Sequence, residues 1–197
     1  MSRLVFAFFL FGWACWRCGS EGSGTETAPA DPERSAAWVA GRHLGPLRIL
    51  DRIATVDSLV GPPVAGDSGA GTTVATYRVA AGRDSVDLLA ILAFEADDAM
   101  HKDLQVVRTT SPYFRDAHDI GVGSRRRAIA AKYRIDQAAG AYATSSGDSV
   151  WVYEAAVGVV FELDGGGICR GLAVHNPDRT PTVNYRPEYP EMATRGR

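Results

Sequence analysis

Apolar and polar residues alternate with several different periods along this 197-residue chain. Leu47 to Leu50 is a short apolar run after Gly45-Pro46 and reads as a strand. Asp51 then stands where a helix N-cap belongs. Ile53, Val56, Leu59 and Val60 recur at helical spacing and give one apolar stripe, which Gly61-Pro62-Pro63 stops. Val74 to Val79 has the Thr/Val/Tyr content of a strand, and Ala81-Gly82-Arg83-Asp84 supplies a turn. Val86 to Glu95 is the most apolar run beyond the N-terminus, and its length and flanking turns predict a central strand. Ala96 to Asp103 reads as a charged loop, and Leu104 to Arg108 as a returning strand.

A later segment follows the same grammar. Asp119-Ile120-Gly121-Val122-Gly123-Ser124, followed by Arg125 to Tyr133, reads as a strand end, a glycine turn, a serine cap and a helix. Setting Val122 against Ile49 sets Ser124 against Asp51, Ile129 against Val56 and Tyr133 against Val60. Further on, Tyr142 echoes Tyr77, and Asp148-Ser149-Val150 repeats Asp84-Ser85-Val86. Phe161-Glu162 matches Phe94-Glu95, and Leu172-Ala173-Val174 stands near Leu104 to Val107. The expectation is an α+β fold of two similar helix-plus-antiparallel-strand units in tandem, about residues 44–109 and 113–176, with the helices packed on the sheet. Thr109-Thr110-Ser111-Pro112 marks the boundary between them.

The ends of the chain read differently. Arg3 precedes an apolar run, Leu4 to Phe11, too short for a spanning helix of about 20 residues. Gly12-Trp13-Ala14 places small residues at −3 and −1 of a cut after Ala14, so residues 1–14 are expected to be a signal peptide. Cys15 directly follows that cut and resembles the acylated cysteine of the bacterial lipoprotein signal. The alternative is ordinary secretion, with Cys15 inside the signal or leading a free tail. Residues 15–34 are small, polar and Gly/Pro-rich, the composition of a flexible linker. A single domain is expected over 35–176. Residues 177–197 form a tail whose Pro177, Pro181, Pro187 and Pro190 oppose helix and central strand.

Composition narrows the function classes. A hydrophobic content of 46% with 22% charged residues is that of a globular protein and excludes wholesale disorder. The net charge is −2 with no long run of one sign, so no nucleic-acid partner is expected. There are three cysteines, and two of them lie in the leader region, so no disulfide framework supports the domain. Cys169, among apolar neighbours, is expected to be a small buried residue.

Chemistry is thin. Gly121-Val-Gly-Ser124 with Arg125, Arg126 and Arg127 invites an anion or partner contact at a helix N-terminus. The Gly-Lys-Ser/Thr signature of a phosphate loop is absent, however, and Arg126 stands where the last glycine of GxGxxG belongs. The structural reading is a tight turn, a capping serine and a solvated arginine face. Asp116, His118 and Asp119, and likewise Asp97, Asp98, His101 and Asp103, fall in expected loops and lack paired zinc-ligand spacing. No metal, cofactor or catalytic set is assigned. Glu95 and Glu162, expected at matching strand ends, read as a repeated structural pair, and His43 and His175 have no evident partner in the sequence.

Val56-x-x-Leu59-x-Gly61-x-Pro63, closing a helix after a capped turn, resembles small bacterial envelope lipoproteins of the SmpA/OmlA type and the tandem unit of β-lactamase inhibitory protein. The resemblance implies a non-catalytic envelope protein whose sheet or loops bind another protein. The expected function is therefore an exported, lipid-anchored binding or structural module, periplasmic or anchored to the outer membrane. The alternative is a periplasmic hydrolase or small-ligand-binding protein with a site between the two units.

Overall fold

The computed structural model describes residues 37–69, 71–95 and 98–178. The signal segment, Cys15, the linker, Asp97 and the proline-rich tail beyond Asp178 lie outside the described residues. Three two-residue strands come first, β1 (Trp38–Val39), β2 (His43–Leu44) and β3 (Leu47–Arg48), paired as a small antiparallel sheet. Helix α1 (Ile53–Val60) follows, and its N–H-accepting end closes on Gly61. Then come β4 (Ala65–Gly69), β5 (Thr72–Ala81), β6 (Asp84–Glu95) and β7 (Asp98–Thr109). Helix α2 (Arg126–Ala130) precedes β8 (Gly140–Ala143), β9 (Ser149–Ala155), β10 (Val159–Asp164) and β11 (Cys169–His175).

The described residues are mostly β, 52% strand against 10% helix. This corrects the expectation of α+β units with helices packed over the sheet. Eight strands join into one antiparallel sheet in the order β4-β5-β6-β7-β11-β10-β9-β8. The physical reason lies in the lengths of the apolar stripes. Around Arg125 to Tyr133 only Ile129 is fully buried from α2, and a five-residue helix covers a strip rather than a layer. The long alternating runs instead satisfy their backbone groups in ladders.

Other expectations are corrected in detail. Strand β7 starts at Asp98, so most of the expected charged loop Ala96 to Asp103 is strand. Polarity there reflects a hairpin whose N-terminal half reaches beyond the core, with Asp103 opposite Ala93 and Lys102 opposite Phe94. Asp51 and Ser124 do not cap the helices. The N-cap positions are Arg52 and Arg125, neither with a side-chain cap hydrogen bond. No strand ends at Ile120. Glu95 and Glu162 do not match either, for Glu95 pairs with Asp98 near the hairpin tip while Glu162 sits inside β10 opposite Gly171.

Two local correspondences stand beside these corrections. The Leu50 N–H donates to the Leu104 carbonyl and the Leu104 N–H to that of Asp51, both at 2.8 Å. Gly123 and Ser124 exchange the same pair of bonds with Cys169, at 2.8 and 2.9 Å. Leu50 and Gly123 both have positive φ, 71° and 93°. Each helix is thereby hung from the strand that reaches the middle of the sheet. Those strands, β7 and β11, pair with Arg108 opposite Ala173 at the centre of their register.

The main core lies on one face of the sheet. Tyr77, Leu88, Leu92, Val107, Phe161, Leu172 and Val174 fill it, with Val56 and Ile129 from the helices. Trp38 locks the small N-terminal sheet into this core. Its indole N–H donates to the Ile120 carbonyl at 2.9 Å, and its ring meets those of Tyr133 and Phe161 at 5.6 and 6.0 Å. The opposite face, called outer below, carries a smaller buried cluster of Val106, Tyr142, Val150, Val152, Val160 and Ala173.

Candidate functional site

Strand alternation puts Arg108 on β7, Glu162 on β10, and Gly171 and Ala173 on β11 all on the outer face. Strand β11 lies between β7 and β10, so Arg108 must cross a whole strand, about 10 Å from its own, to meet Glu162. It does so with two charge-assisted bonds, Nε to Oε1 at 2.7 Å and Nη2 to Oε2 at 2.8 Å. Tyr142 reaches from β8 across β9 in the other direction, and its hydroxyl donates to Glu162 Oε2 at 2.9 Å. Glu162 is wholly buried and Arg108 nearly so.

Gly171 makes the crossing possible. A Cβ at this position would lie 2.2 Å from Glu162 Oε2 and 3.0 Å from Arg108 Nη2. The glycine leaves a slot in β11 into which the carboxylate fits. A buried ion pair of this kind contributes little net stability but is costly to break on one side.

An open cleft of about 840 Å³ lies over this network. Arg108, Tyr142 and Val150 lie along it, with Thr144, Gly147 and Asp148 from the β8–β9 connection and Ser149 from the start of β9. Thr110, Trp151, Asp164, Gly165, Gly166 and Arg170 line the remainder, though strand alternation puts the Trp151 side chain on the main-core face, beside Leu163. Asp164 organises its turn. Its Oδ1 accepts the Gly166 and Ile168 N–H groups at 2.9 Å each, and its Oδ2 accepts Arg170 Nε at 2.7 Å. The Ile168 N–H and the neighbouring guanidinium hold this carboxyl below its ordinary pKa. Across the cleft, Asp148 Oδ2 accepts the Ser146 hydroxyl at 2.8 Å.

The residues singled out by sequence are placed elsewhere. Ser124 Oγ accepts the Gly121 N–H at 3.0 Å and Arg115 Nη1 at 3.3 Å, so it ties the glycine loop to itself. Gly121 is needed because a Cβ there would sit 2.4 Å from the Phe114 carbonyl oxygen. Arg126 lies over the Tyr153 ring at 4.9 Å, while Arg125 and Arg127 are exposed. The group has no common focus with the cleft. Asp116 spends Oδ1 on the His118 and Ile120 N–H groups and Oδ2 on the Tyr133 hydroxyl at 2.5 Å. Burial, and then this bond, push the Tyr133 hydroxyl above its ordinary pKa.

Among the described residues no group of three or more His, Cys, Asp or Glu side chains is placed to hold a metal ion. Cys169 is buried, and burial pushes its thiol up to about 12, away from nucleophilic use. His175 is buried with Nδ1 2.8 Å from the Asn176 carbonyl, and its Nε2 stands 3.8 Å from Glu154, whose carboxyl burial raises. Among the described residues no helix is long and apolar enough to cross a membrane.

Sequence reasoning missed the cleft. Its one local signal was Gly171 between Arg170 and Leu172, since a glycine inside a strand marks a close approach. No family model, curated protein or solved structure matches the chain.

Proposed function

We propose that this chain is an exported, lipid-anchored protein of the cell envelope that acts as a non-catalytic binding module and receives its ligand in the outer-face cleft. The observation that carries this reading is the cleft of about 840 Å³ built over the Arg108–Glu162–Tyr142 network. Its volume lies in the range of small-molecule sites. Groups fixed on strands and tight turns bind without first having to be ordered. Two of the charged groups around it are paired within the fold, Arg108 with Glu162 and Arg170 with Asp164, while Asp148 accepts only the Ser146 hydroxyl. That arrangement suits holding a ligand rather than exchanging protons with it. Size and lining favour a small ligand over a protein surface, which is the reading the sequence left as its alternative. The location rests on the leader, with Leu4 to Phe11 as the apolar segment and Cys15 as the lipidated residue.

Two measurements test the proposal. Wild type and Cys15→Ala are expressed with labelled palmitate and fractionated. Label and membrane association in wild type, both lost in the variant, support the anchor; a soluble, unlabelled wild type ends it. Amide resonances of Gly147, Gly165 and Gly166 are then followed as envelope extract is added, divided into low-molecular-weight, glycan and protein fractions. Saturable shifts with one fraction support the cleft as the recognition site. Resonances unmoved by every fraction refute it.

A further inference from the structure

Four cations around α2 serve neither the fold nor the cleft. From Arg125 to Arg134 the chain carries five of its 21 basic residues and none of its 23 acidic ones. Arg126 lies over the Tyr153 ring. Arg125, Arg127, Lys132 and Arg134 are exposed, and among the described residues none of the four has a side-chain hydrogen bond or an ion pair. Ala128, Ala130 and Ala131 are exposed between them, with Ile129 buried behind. Small side chains at the centre and long basic ones around them suit contact with a flat surface.

The acidic groups nearby leave this charge standing. Asp116 spends its oxygens on the His118 and Ile120 N–H groups and the Tyr133 hydroxyl. Asp119 stands 3.8 Å from Arg115 instead. Asp136, exposed just past Arg134, pairs with none of the four.

The same surface adjoins the point where the chain enters the domain. Ala37 bridges Arg115, and the Trp38 N–H donates to the Arg115 carbonyl at 3.1 Å. Arg115 Nη1 in turn reaches Ser124 Oγ, next to Arg125, at 3.3 Å. The Trp38 ring meets that of Tyr133, between Lys132 and Arg134, at 5.6 Å. On the reading that Cys15 is lipidated, about 20 residues join the anchor to Ala37, and a coil of that length spans about 25 Å. The chain itself therefore holds these cations close to a bilayer. A basic surface there adds a second membrane signal to the acyl anchor, through attraction to anionic headgroups.

We propose that Arg125, Arg127, Lys132 and Arg134 form a membrane-contact surface that lies on anionic phospholipid headgroups beside the tether.

The test uses the chain from Cys15 onward with Cys15→Ala, so that no acyl chain holds it to lipid. Co-sedimentation is measured with vesicles of phosphatidylcholine alone and of equal parts phosphatidylcholine and phosphatidylglycerol. Binding to the anionic vesicles only, lost on adding salt, is expected. Each cation replaced by Ala is expected to weaken it about fivefold, so Arg125→Ala with Arg127→Ala weakens it about twenty-five-fold. Both replaced side chains are exposed, so the variant keeps its fold. Arg83→Ala, at an exposed arginine of the β5–β6 turn, is expected to change nothing. Absence of binding to anionic vesicles overturns the proposal. So does unchanged binding in the double variant, or an equal loss in Arg83→Ala, which would show attraction without a site. Binding of polyglutamate without binding of vesicles would assign the surface to an acidic polypeptide and overturn it too. Labelling of Cys15 tests the anchor separately, so either reading can fail alone.

Discussion

Arg108 clasps Glu162 from two strands away, with bonds of 2.7 and 2.8 Å, over a position in β11 that leaves no room for a Cβ. The two residues are 54 apart in sequence. Their pairing fixes the register of β7, β11 and β10 together, because a one-residue slip would turn either side chain to the other face.

Gly171→Ala is therefore expected to destabilise the protein by about 1–3 kcal/mol, the usual range for overpacking. Urea denaturation monitored by Trp fluorescence measures it. An unchanged midpoint and slope would falsify the slot.

Breaking the pair on one side should be more severe. Arg108→Met leaves Glu162 buried without its cation and is expected to lose about 3–5 kcal/mol. Combining it with Glu162→Leu removes both charges and is expected to restore most of that stability. A double-mutant cycle by chemical denaturation decides; additive losses would show that the two side chains do not act as a unit.

Asp164 should make the β10–β11 turn sensitive to acid. Its folded pKa lies below the unfolded value, so its contribution is present above the unfolded pKa, about 3.9, and is lost as pH falls through the folded value. Asp164→Asn is expected to flatten the stability profile below about pH 4. A profile as steep as that of wild type counts against this role.

The Cys169 thiol, pushed up to about 12 by burial, should resist modification in the native protein. Iodoacetamide at mildly alkaline pH is expected to label it in urea and not in buffer, as followed by mass spectrometry. Rapid labelling of the native chain would show that the interior of β11 opens readily.

The arginine trio should matter little to the fold. Arg125→Ala and Arg127→Ala remove exposed side chains and are expected to change stability by no more than about 0.5 kcal/mol. Arg126→Ala also loses its contact with Tyr153, for about 0.5–1 kcal/mol. Thermal melts check all three, and a larger loss at Arg125 or Arg127 would indicate an unrecognised structural role.

The sequence by itself determined the elements whose signals are local. The stripe Ile53, Val56, Leu59, Val60 with Gly61 gave helix α1, and the β-rich run from Val74 to Glu95 gave β5 and β6, because period and turn chemistry are properties of neighbouring residues. It also marked Gly121 and Gly123 as a tight turn, though not the reason. Only the tertiary structure decided that β7 and β11 join two runs of strands into one sheet, and that α2 stays a single short turn of helix. It alone decided that Ser124 serves its own loop, and that Arg108, Tyr142 and Glu162 meet. The long-range pairing of β7 with β11, Arg108 opposite Ala173, leaves no periodic trace in the chain, because the matching is between backbone ladders that any residue can supply. A buried arginine and glutamate look in sequence like any solvent-facing pair; it is the missing Cβ of Gly171, seen only with β10 laid beside it, that sets them in the interior.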